Sequence, residues 1–261
     1  MDLEAYLRQI KLNRFIPAPP AERMFVGGTP DDFRAIGVDT LRSLIKHCKL
    51  DPAHKVLDVG SGIGRIALPL TQWLDERGAY LGFEVVADGV DWCRDEIASR
   101  YPNFEFRHVD LHNDYYNPGG PLRVESLRVD RPEKFFDLAI FCSVFTHLDA
   151  ADTEAYFALA HRHLAPAGRI WGTWFLMDAD ARAAVARGET TLGFILRDDA
   201  PTFHLGEGQS PSYAVAYDFD FACAAYARHG FEIELIQKGH WCNRSHKTGG
   251  GYQDLIVARM G

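Results

Sequence analysis

Apolar positions along this chain follow two periods, and the changes between them mark its elements. Leu3, Tyr6, Leu7 and Ile10 recur at helical spacing and predict an amphipathic first helix. The stretch PAPPAERMFVGGTP (17–30) breaks that pattern with prolines and glycines. A second helix is expected from about Asp31, with acids in its first turn and Phe33, Ile36, Leu41, Leu44, Ile45 and Cys48 as its buried stripe. From Lys55 short apolar runs alternate with helical patterns. KVLDVG (55–60), YLGFEVV (80–86), FEFRHVD (104–110), FFDLAIFCSV (135–144) and GRIWGTWFLM (168–177) read as strands. IGRIALPLTQWLDERG (63–78), DGVDWCRDEIASRYP (88–102) and ADTEAYFALAHRHLAP (151–166) read as helices. Alternation at these lengths implies right-handed crossovers and a parallel sheet covered on both faces.

The alternation lapses over Asp178–Ala214, where a short helix (180–189) precedes a loop rich in Gly, Pro and Ser that is long for a connection. Helical spacing resumes at DFDFACAAYARHG (218–230), followed by two strands, FEIELIQKG (231–239) and YQDLIVARM (252–260). HWCNRSHKTGGG, between them, is too polar and glycine-rich for a crossover helix, so the final pair is expected to be antiparallel. The expected organisation is an N-terminal helical lid over residues 1–54, then an α/β domain over 55–261 with a substrate-cap insertion at about 178–214.

Composition changes this picture little. A chain of 261 residues can bury the core of one large α/β domain. Its net charge of −8 argues against an extended basic surface for nucleic acid. Five cysteines, widely spaced and without a CxxC pair, read as reduced thiols. The charged N-terminus does not read as a secretory signal, and no apolar run approaches the roughly 20 residues a spanning helix needs. Together these predict a cytoplasmic protein.

The chemistry centres on VLDVGSGIGR (56–65). A phosphate loop needs Lys-Ser/Thr after its last glycine, and Arg65-Ile66 stands there instead. A dinucleotide loop wants GxGxxG, whereas the spacing here is Gly60-x-Gly62-x-Gly64, with Arg65 at the third glycine's place. Glu84, at the end of the second strand, can bind a ribose 2′-hydroxyl in either reading. Asp58, just before the loop, would burden a pyrophosphate but could organise the loop around a cationic ligand. Asp110, ending the third strand, can accept a hydrogen bond from an exocyclic amine such as that of adenine. A ribose, an adenine and a positive centre occur together in S-adenosylmethionine.

On these residues the chain resembles the class I S-adenosylmethionine-dependent methyltransferases. VLDVGSGIGR, Glu84 in YLGFEV, Asp110 in FRHVDL, FDLAIFCSVFTHL and HLAPAGRIWGTWF carry the likeness, over roughly Lys55–Met177. More narrowly, GIGRIALPL, DWC, YPNFEF, YNPGG and SVFTHL look like a bacterial subgroup acting on small molecules or glycans. The resemblance implies a Rossmann-like, doubly wound, seven-stranded sheet whose last strand is antiparallel. It further implies that Gly60, Ser61, Gly62 and Gly64 let the backbone approach the aminocarboxypropyl part of the cofactor. Glu84 would bind the ribose, Val85 and Leu111 would pack the adenine, and Asp110 would bind its amine. Cys142 and Ser143 would offer carbonyls to the ammonium group. S-adenosylhomocysteine would be the product, and no metal is expected; His161 and His163, two apart on a helix, point to different faces.

The acceptor side is read from fewer residues. His147, after the fourth strand, is the candidate general base for O-methylation of a small molecule or a sugar hydroxyl, since imidazole suits proton transfer near neutrality. His204, Glu207 and His240 are its rivals. Tyr115, Tyr116, Trp171, Trp174, Phe175 and Trp241 are candidates for an acceptor pocket, with some assigned to the core; Trp92 and Cys93 are expected in the core. The alternatives are a nicotinamide-dependent oxidoreductase and a non-catalytic cofactor-binding partner subunit. Either a bound acid or substrate, or a surface ion pair, would account for Arg65.

Overall fold

The computed structural model describes residues 2–26, 29–206, 208–243 and 251–261. Two compact units are distinguished: residues 1–109 with 136–138, and residues 110–135 with 139–261.

The first unit opens with helix α1 (Leu3–Leu12), whose first turn is capped by the Asp2 carboxylate. Helix α2 (Pro30–Cys48) starts from a reciprocal cap: Thr29 and Asp32 each bond the other's backbone N–H, and Pro30 occupies the first helical position. Phe33, Leu41, Leu44 and Cys48 are buried as the periodicity requires. Ile36, however, is 39% exposed and Ile45 only half-buried; Gly37 and Val38 face the core in their place. The reason is a close approach, since a Cβ on Gly37 would lie 2.4 Å from the carbonyl oxygen of Arg65.

That carbonyl also explains why the helix expected over 63–78 is short. Strand β1 (Lys55–Val59) leads through the glycine loop into α3, which is regular only over Ala67–Leu70, with turns on either side. Pro69 has no N–H to offer Arg65, so the helical ladder has a gap at that point. Strand β2 (Ala79–Glu84) pairs in parallel with β1, placing Asp58 opposite Gly82. Helix α4 (Ala87–Cys93) runs on into a π-helical turn, Arg94–Ala98, with Trp92 and Cys93 in the core as expected. Strand β3 (Phe104–His108) pairs in parallel with β2 and stops two residues short of Asp110, the residue expected at its end.

Strand β4 (Phe136–Phe141) is followed by helix α5 (Ala150–His163), N-capped by Asp149, and then by β5. The fifth strand begins earlier than expected, at Leu164, and ends at Trp174. Its expected last residues form a separate strand, β6 (Leu176–Met177). Helix α6 (Ala179–Ala186), strands β7 (Thr202–His204) and β8 (Val215–Asp218), helix α7 (Phe219–Arg228), and strands β9 (Phe231–Gln237) and β10 (Asp254–Met260) complete the chain.

The main sheet is seven-stranded, with the order β3-β2-β1-β4-β5-β10-β9. β10, the last strand in sequence, runs antiparallel to both β5 and β9; Val257 faces Trp171 on one side and Leu235 on the other. This is the Rossmann-like, mostly parallel sheet the alternation predicts. Residues 178–214, expected as a helix and loop, contribute to a second sheet of order β6-β8-β7. Its strands are two to four residues long, too short to leave a period in the sequence. Phe175, Met177, Phe194, Phe203 and Trp241 form a core of their own beside it. The Asp254 carboxylate, fully buried, gathers the Leu176 N–H (2.7 Å), the Gly239 N–H (2.8 Å) and the Trp241 indole N–H (2.8 Å).

Candidate active site

In the first unit the glycine loop is fastened to the end of β2. The Phe83 carbonyl accepts the N–H groups of Gly60 (2.8 Å) and Ser61 (2.9 Å), and the Ser61 carbonyl accepts that of Gly64 (3.1 Å). Gly62 donates its N–H to the Glu84 carboxylate at 2.8 Å. Gly60, Gly62 and Gly64 all have positive φ (71°, 57° and 78°), a backbone that a side chain at any of them would strain. Four of the loop's amides are thus taken within the fold rather than aimed outward. A pyrophosphate loop works by presenting such amides to phosphate oxygens, and this loop has turned them away.

Glu84 is 6% exposed and accepts two further backbone N–H groups, from Val85 (2.8 Å) and Val86 (2.9 Å). A carboxylate has about four lone-pair directions, so three bonds leave room for a hydroxyl donor. Burial raises its pKa, and the three N–H groups oppose that shift. Val85 is half-buried, and its carbonyl meets the His108 ring at 3.1 Å.

Asp58 lies below the loop with no exposed surface. Its Oδ2 accepts the Tyr80 hydroxyl at 2.5 Å, while its Oδ1 and the Ser61 hydroxyl are buried polar atoms with no partner among the described residues. Such atoms favour a polar ligand or an ordered water. Tyr80 was not singled out from sequence, though alternation gave the signal: Tyr80, Gly82 and Glu84 share one face of β2, and Gly82 pairs with Asp58. Burial pushes the Asp58 carboxyl up to about 7, with the neighbouring Glu84 charge adding to the effect and Tyr80 opposing it.

The folded chain therefore holds this proton to about pH 7, whereas an unfolded chain releases it near the ordinary 3.8. The proton's stabilising contribution is complete below the unfolded value and is lost as pH rises through that window. Asp58→Asn, which keeps an acceptor for Tyr80, is expected to gain stability over the native chain as pH rises. The gain should be larger at pH 8 than at pH 5 by roughly 2–3 kcal/mol. Denaturant midpoints at the two pH values measure it, and a gain independent of pH would contradict the assignment.

The second unit carries the other expected cofactor residues. Asp110 is exposed; its carboxylate accepts the Asn117 amide at 2.9 Å and its carbonyl accepts the Leu122 N–H at 3.2 Å. Leu111 is 2% exposed and so presents little surface. Cys142 and Ser143, just past β4, are half-buried. Ser143 adopts a left-handed backbone (φ 57°), uncommon for a residue with a side chain. Its N–H donates to the Thr173 hydroxyl (2.7 Å) and its own hydroxyl to Gln253 Oε1 (3.0 Å), which hold the turn in place. Strained positions of this kind cluster at active sites and ligand clamps.

His147 lies in a 3₁₀ turn (Phe145–His147). Its Nδ1 is 2.8 Å from the Ser212 carbonyl, which can only accept, so Nδ1 carries the ring proton and Nε2 is the basic nitrogen. Burial lowers its pKa; the Ser212 and Tyr213 backbones oppose this to a smaller extent. Asn113 holds the His147 carbonyl at 2.9 Å. The Tyr115 ring lies parallel to the imidazole (centroids 6.2 Å, 11°), Tyr116 meets it edge-on at 5.2 Å, and Tyr213 meets Tyr115 edge-on at 5.2 Å. Tyr115 and Tyr213 are exposed (43% and 39%). Ser212 and Tyr213 went unnoticed in the sequence because their link to His147 is entirely tertiary.

The rival bases are placed differently. Both nitrogens of His204 are engaged, Nδ1 with the Pro211 carbonyl (2.9 Å) and Nε2 with the Thr202 hydroxyl (3.3 Å). His240 is exposed and packs edge-on to Tyr252. Glu207 lies outside the described residues. Of the aromatic candidates, Trp171, Trp174, Phe175 and Trp241 are buried and belong to the core. Trp174 stacks on Phe145 at 4.0 Å and donates its indole N–H to the Tyr226 hydroxyl at 3.1 Å.

Residues 56–168 match the family described as a methyltransferase domain. The fold is similar to that of PH0226 protein from Pyrococcus horikoshii OT3 (TM-score 0.60, 18% identity, 92% of this chain and 95% of that one). It is also similar to magnesium protoporphyrin IX methyltransferase from Synechocystis PCC 6803, a structure with bound S-adenosylhomocysteine (0.56, 15%, 99% and 94%). A third is 1,6-didemethyltoxoflavin-N1-methyltransferase from Burkholderia thailandensis, a structure with bound 1,6-didemethyltoxoflavin and S-adenosylhomocysteine (0.54, 15%, 90% and 91%). At these identities the likeness to solved structures shows the fold, and the family match shows a methyltransferase domain over residues 56–168 of this chain.

Proposed function

We propose that the chain methylates a hydroxyl of a small molecule or a sugar. S-adenosylmethionine, when bound, supplies an electrophilic methyl on a sulfonium and leaves as S-adenosylhomocysteine. The observation that carries the cofactor reading is the glycine loop: its amides are turned inward, and two buried acids, Asp58 and Glu84, lie beside it. That surrounding disfavours a pyrophosphate and favours a cation, which speaks against the nicotinamide alternative. Gly60, Ser61, Gly62 and Gly64 are assigned to the aminocarboxypropyl part, and Glu84 to the ribose diol through its remaining lone-pair direction. Val85 and Leu111 are assigned to the adenine, Asp110 to its amine, and the carbonyls of Cys142 and Ser143 to the ammonium group.

His147 is assigned as the general base. The acceptor hydroxyl proton passes to Nε2 while Nδ1 keeps its bond to the Ser212 carbonyl, so the imidazolium that forms is already held. Tyr115, Tyr116 and Tyr213 supply an aromatic surface beside it for the acceptor. Residues 178–214 are assigned as the acceptor cap and residues 1–54 as a lid.

Calorimetry tests the cofactor: S-adenosylhomocysteine is expected to bind with micromolar or tighter affinity, and NADH not measurably. Binding of NADH alone would overturn the reading. Transfer of label from methyl-labelled cofactor to hydroxyl acceptors, absent with the corresponding deoxy compounds, tests the acceptor atom and separates an enzyme from a non-catalytic subunit.

A further inference from the structure

Arg65, the residue that spoils both phosphate-loop patterns, donates from Nη1 to the main-chain carbonyl of Val26 at 2.7 Å. We propose that residues 23–26 form a strap clasped onto the glycine loop by Arg65, and that this clasp sets how long the adenosyl cofactor stays bound. The inference rests on the cofactor reading above and adds a positioning residue to it.

Two glycines report how closely the strap fits. A Cβ on Gly62 would lie 2.8 Å from Val26 Cγ1. A Cβ on Gly89, in the first turn of α4, would lie 2.9 Å from two carbons of the Phe25 ring and 3.1 Å from the Gly62 carbonyl oxygen. Gly62 also has a positive φ, so its identity has two causes, but Gly89 is helical and its backbone suits any residue. What excludes a side chain there is contact with the strap and the loop. Arg23 adds an exposed ion pair with Asp88, the residue before Gly89, at 3.5 Å. The strap therefore touches the loop at Gly62 and Arg65 and touches α4 at Asp88 and Gly89.

The position of Arg65 needs such a partner. It follows directly on the loop and precedes α3, where the N-terminal end of a helix repels a cation. A charge-assisted bond to a carbonyl gives the guanidinium a use there that a phosphate-binding loop would not require. The same Gly62 that carries Val26 against its Cα bonds Glu84 through its N–H. Strap, loop and ribose acid are thus mechanically one series, and by linkage a ligand that favours the fastened loop also favours the closed strap.

The test uses the full chain and its Arg65→Met and Arg65→Lys variants, with S-adenosylhomocysteine as probe. Arg65→Met is expected to weaken binding about tenfold, mostly through faster dissociation. Residues 23–26 should lose the hydrogen-exchange protection that the ligand confers on them in the native chain. Arg65→Lys should recover part of both. Should Arg65→Met fail to fold, Phe25→Ala, which leaves the loop intact, is expected to show the same faster dissociation. Unchanged dissociation together with unchanged protection at 23–26 overturns the clasp while leaving the cofactor reading in place. A native chain that binds no S-adenosylhomocysteine overturns both.

Discussion

Replacing His147 by alanine is expected to lower turnover of a hydroxyl acceptor about 10²–10⁴-fold, the usual contribution of a positioned general base. Affinity for S-adenosylhomocysteine should change less than about twofold, because no bond assigned to the cofactor involves the imidazole. The native pH profile carries the same information. Burial keeps the ring's pKa below its ordinary 6.5, so Nε2 stays unprotonated at neutral pH and kcat/KM should fall only below that value. In the alanine variant this acid limb should disappear, leaving a rate that rises with hydroxide. Single-turnover kinetics across pH 5–9 measure both effects. Native turnover in the variant would remove His147 from the chemistry and point to an acceptor acidic enough, such as a phenol, to need no base.

Glu84→Ala is expected to cost about 10–10²-fold in S-adenosylhomocysteine affinity. A hydrogen bond to a charged group contributes about 1.5–3 kcal/mol, and one lone-pair direction of Glu84 is left for the ribose. The substitution also leaves the N–H groups of Gly62, Val85 and Val86 without their acceptor, so the loop itself loses order. Glu84→Gln separates the two causes. It preserves volume but turns an N–H toward backbone donors, so it should weaken binding nearly as much while leaving the fold intact by circular dichroism. Binding unchanged in a folded Glu84→Gln chain would show that the carboxylate serves the loop alone.

The main sheet was legible because each of its strands is five or more residues long and bounded by a change of period. The residues proposed for the cofactor were chosen for a related reason: Asp58, Glu84 and the glycines sit at or just past strand ends, where ligands gather in folds of this topology. What escaped the reading depends on partners remote in sequence. Arg65 meets Val26 from 39 residues away, and His147 takes its tautomer from Ser212, 65 residues on. Neither pairing has a local period. The shortening of α3 was not expected from the sequence, where residues 63–78 read as one helix; the missing N–H of Pro69 leaves the Arg65 carbonyl to pack against Gly37. The aromatic candidates stayed divided between pocket and core because burial, not residue type, separates the two.

The antiparallel strand β10 has a consequence for how the protein is made. It lies between β5 and β9, yet the ribosome delivers it after both. Until residues 254–260 emerge, the edges of β5 and β9 have only water to bond, and Trp171 and Leu235 lack the partner that lies between them. Open apolar edges of this kind invite pairing with another chain. The same late strand brings Asp254, the carboxylate that accepts from Leu176, Gly239 and Trp241. The nascent chain is therefore most exposed to aggregation just before synthesis of β10, and a truncation that removes it should yield inclusion bodies rather than a smaller enzyme.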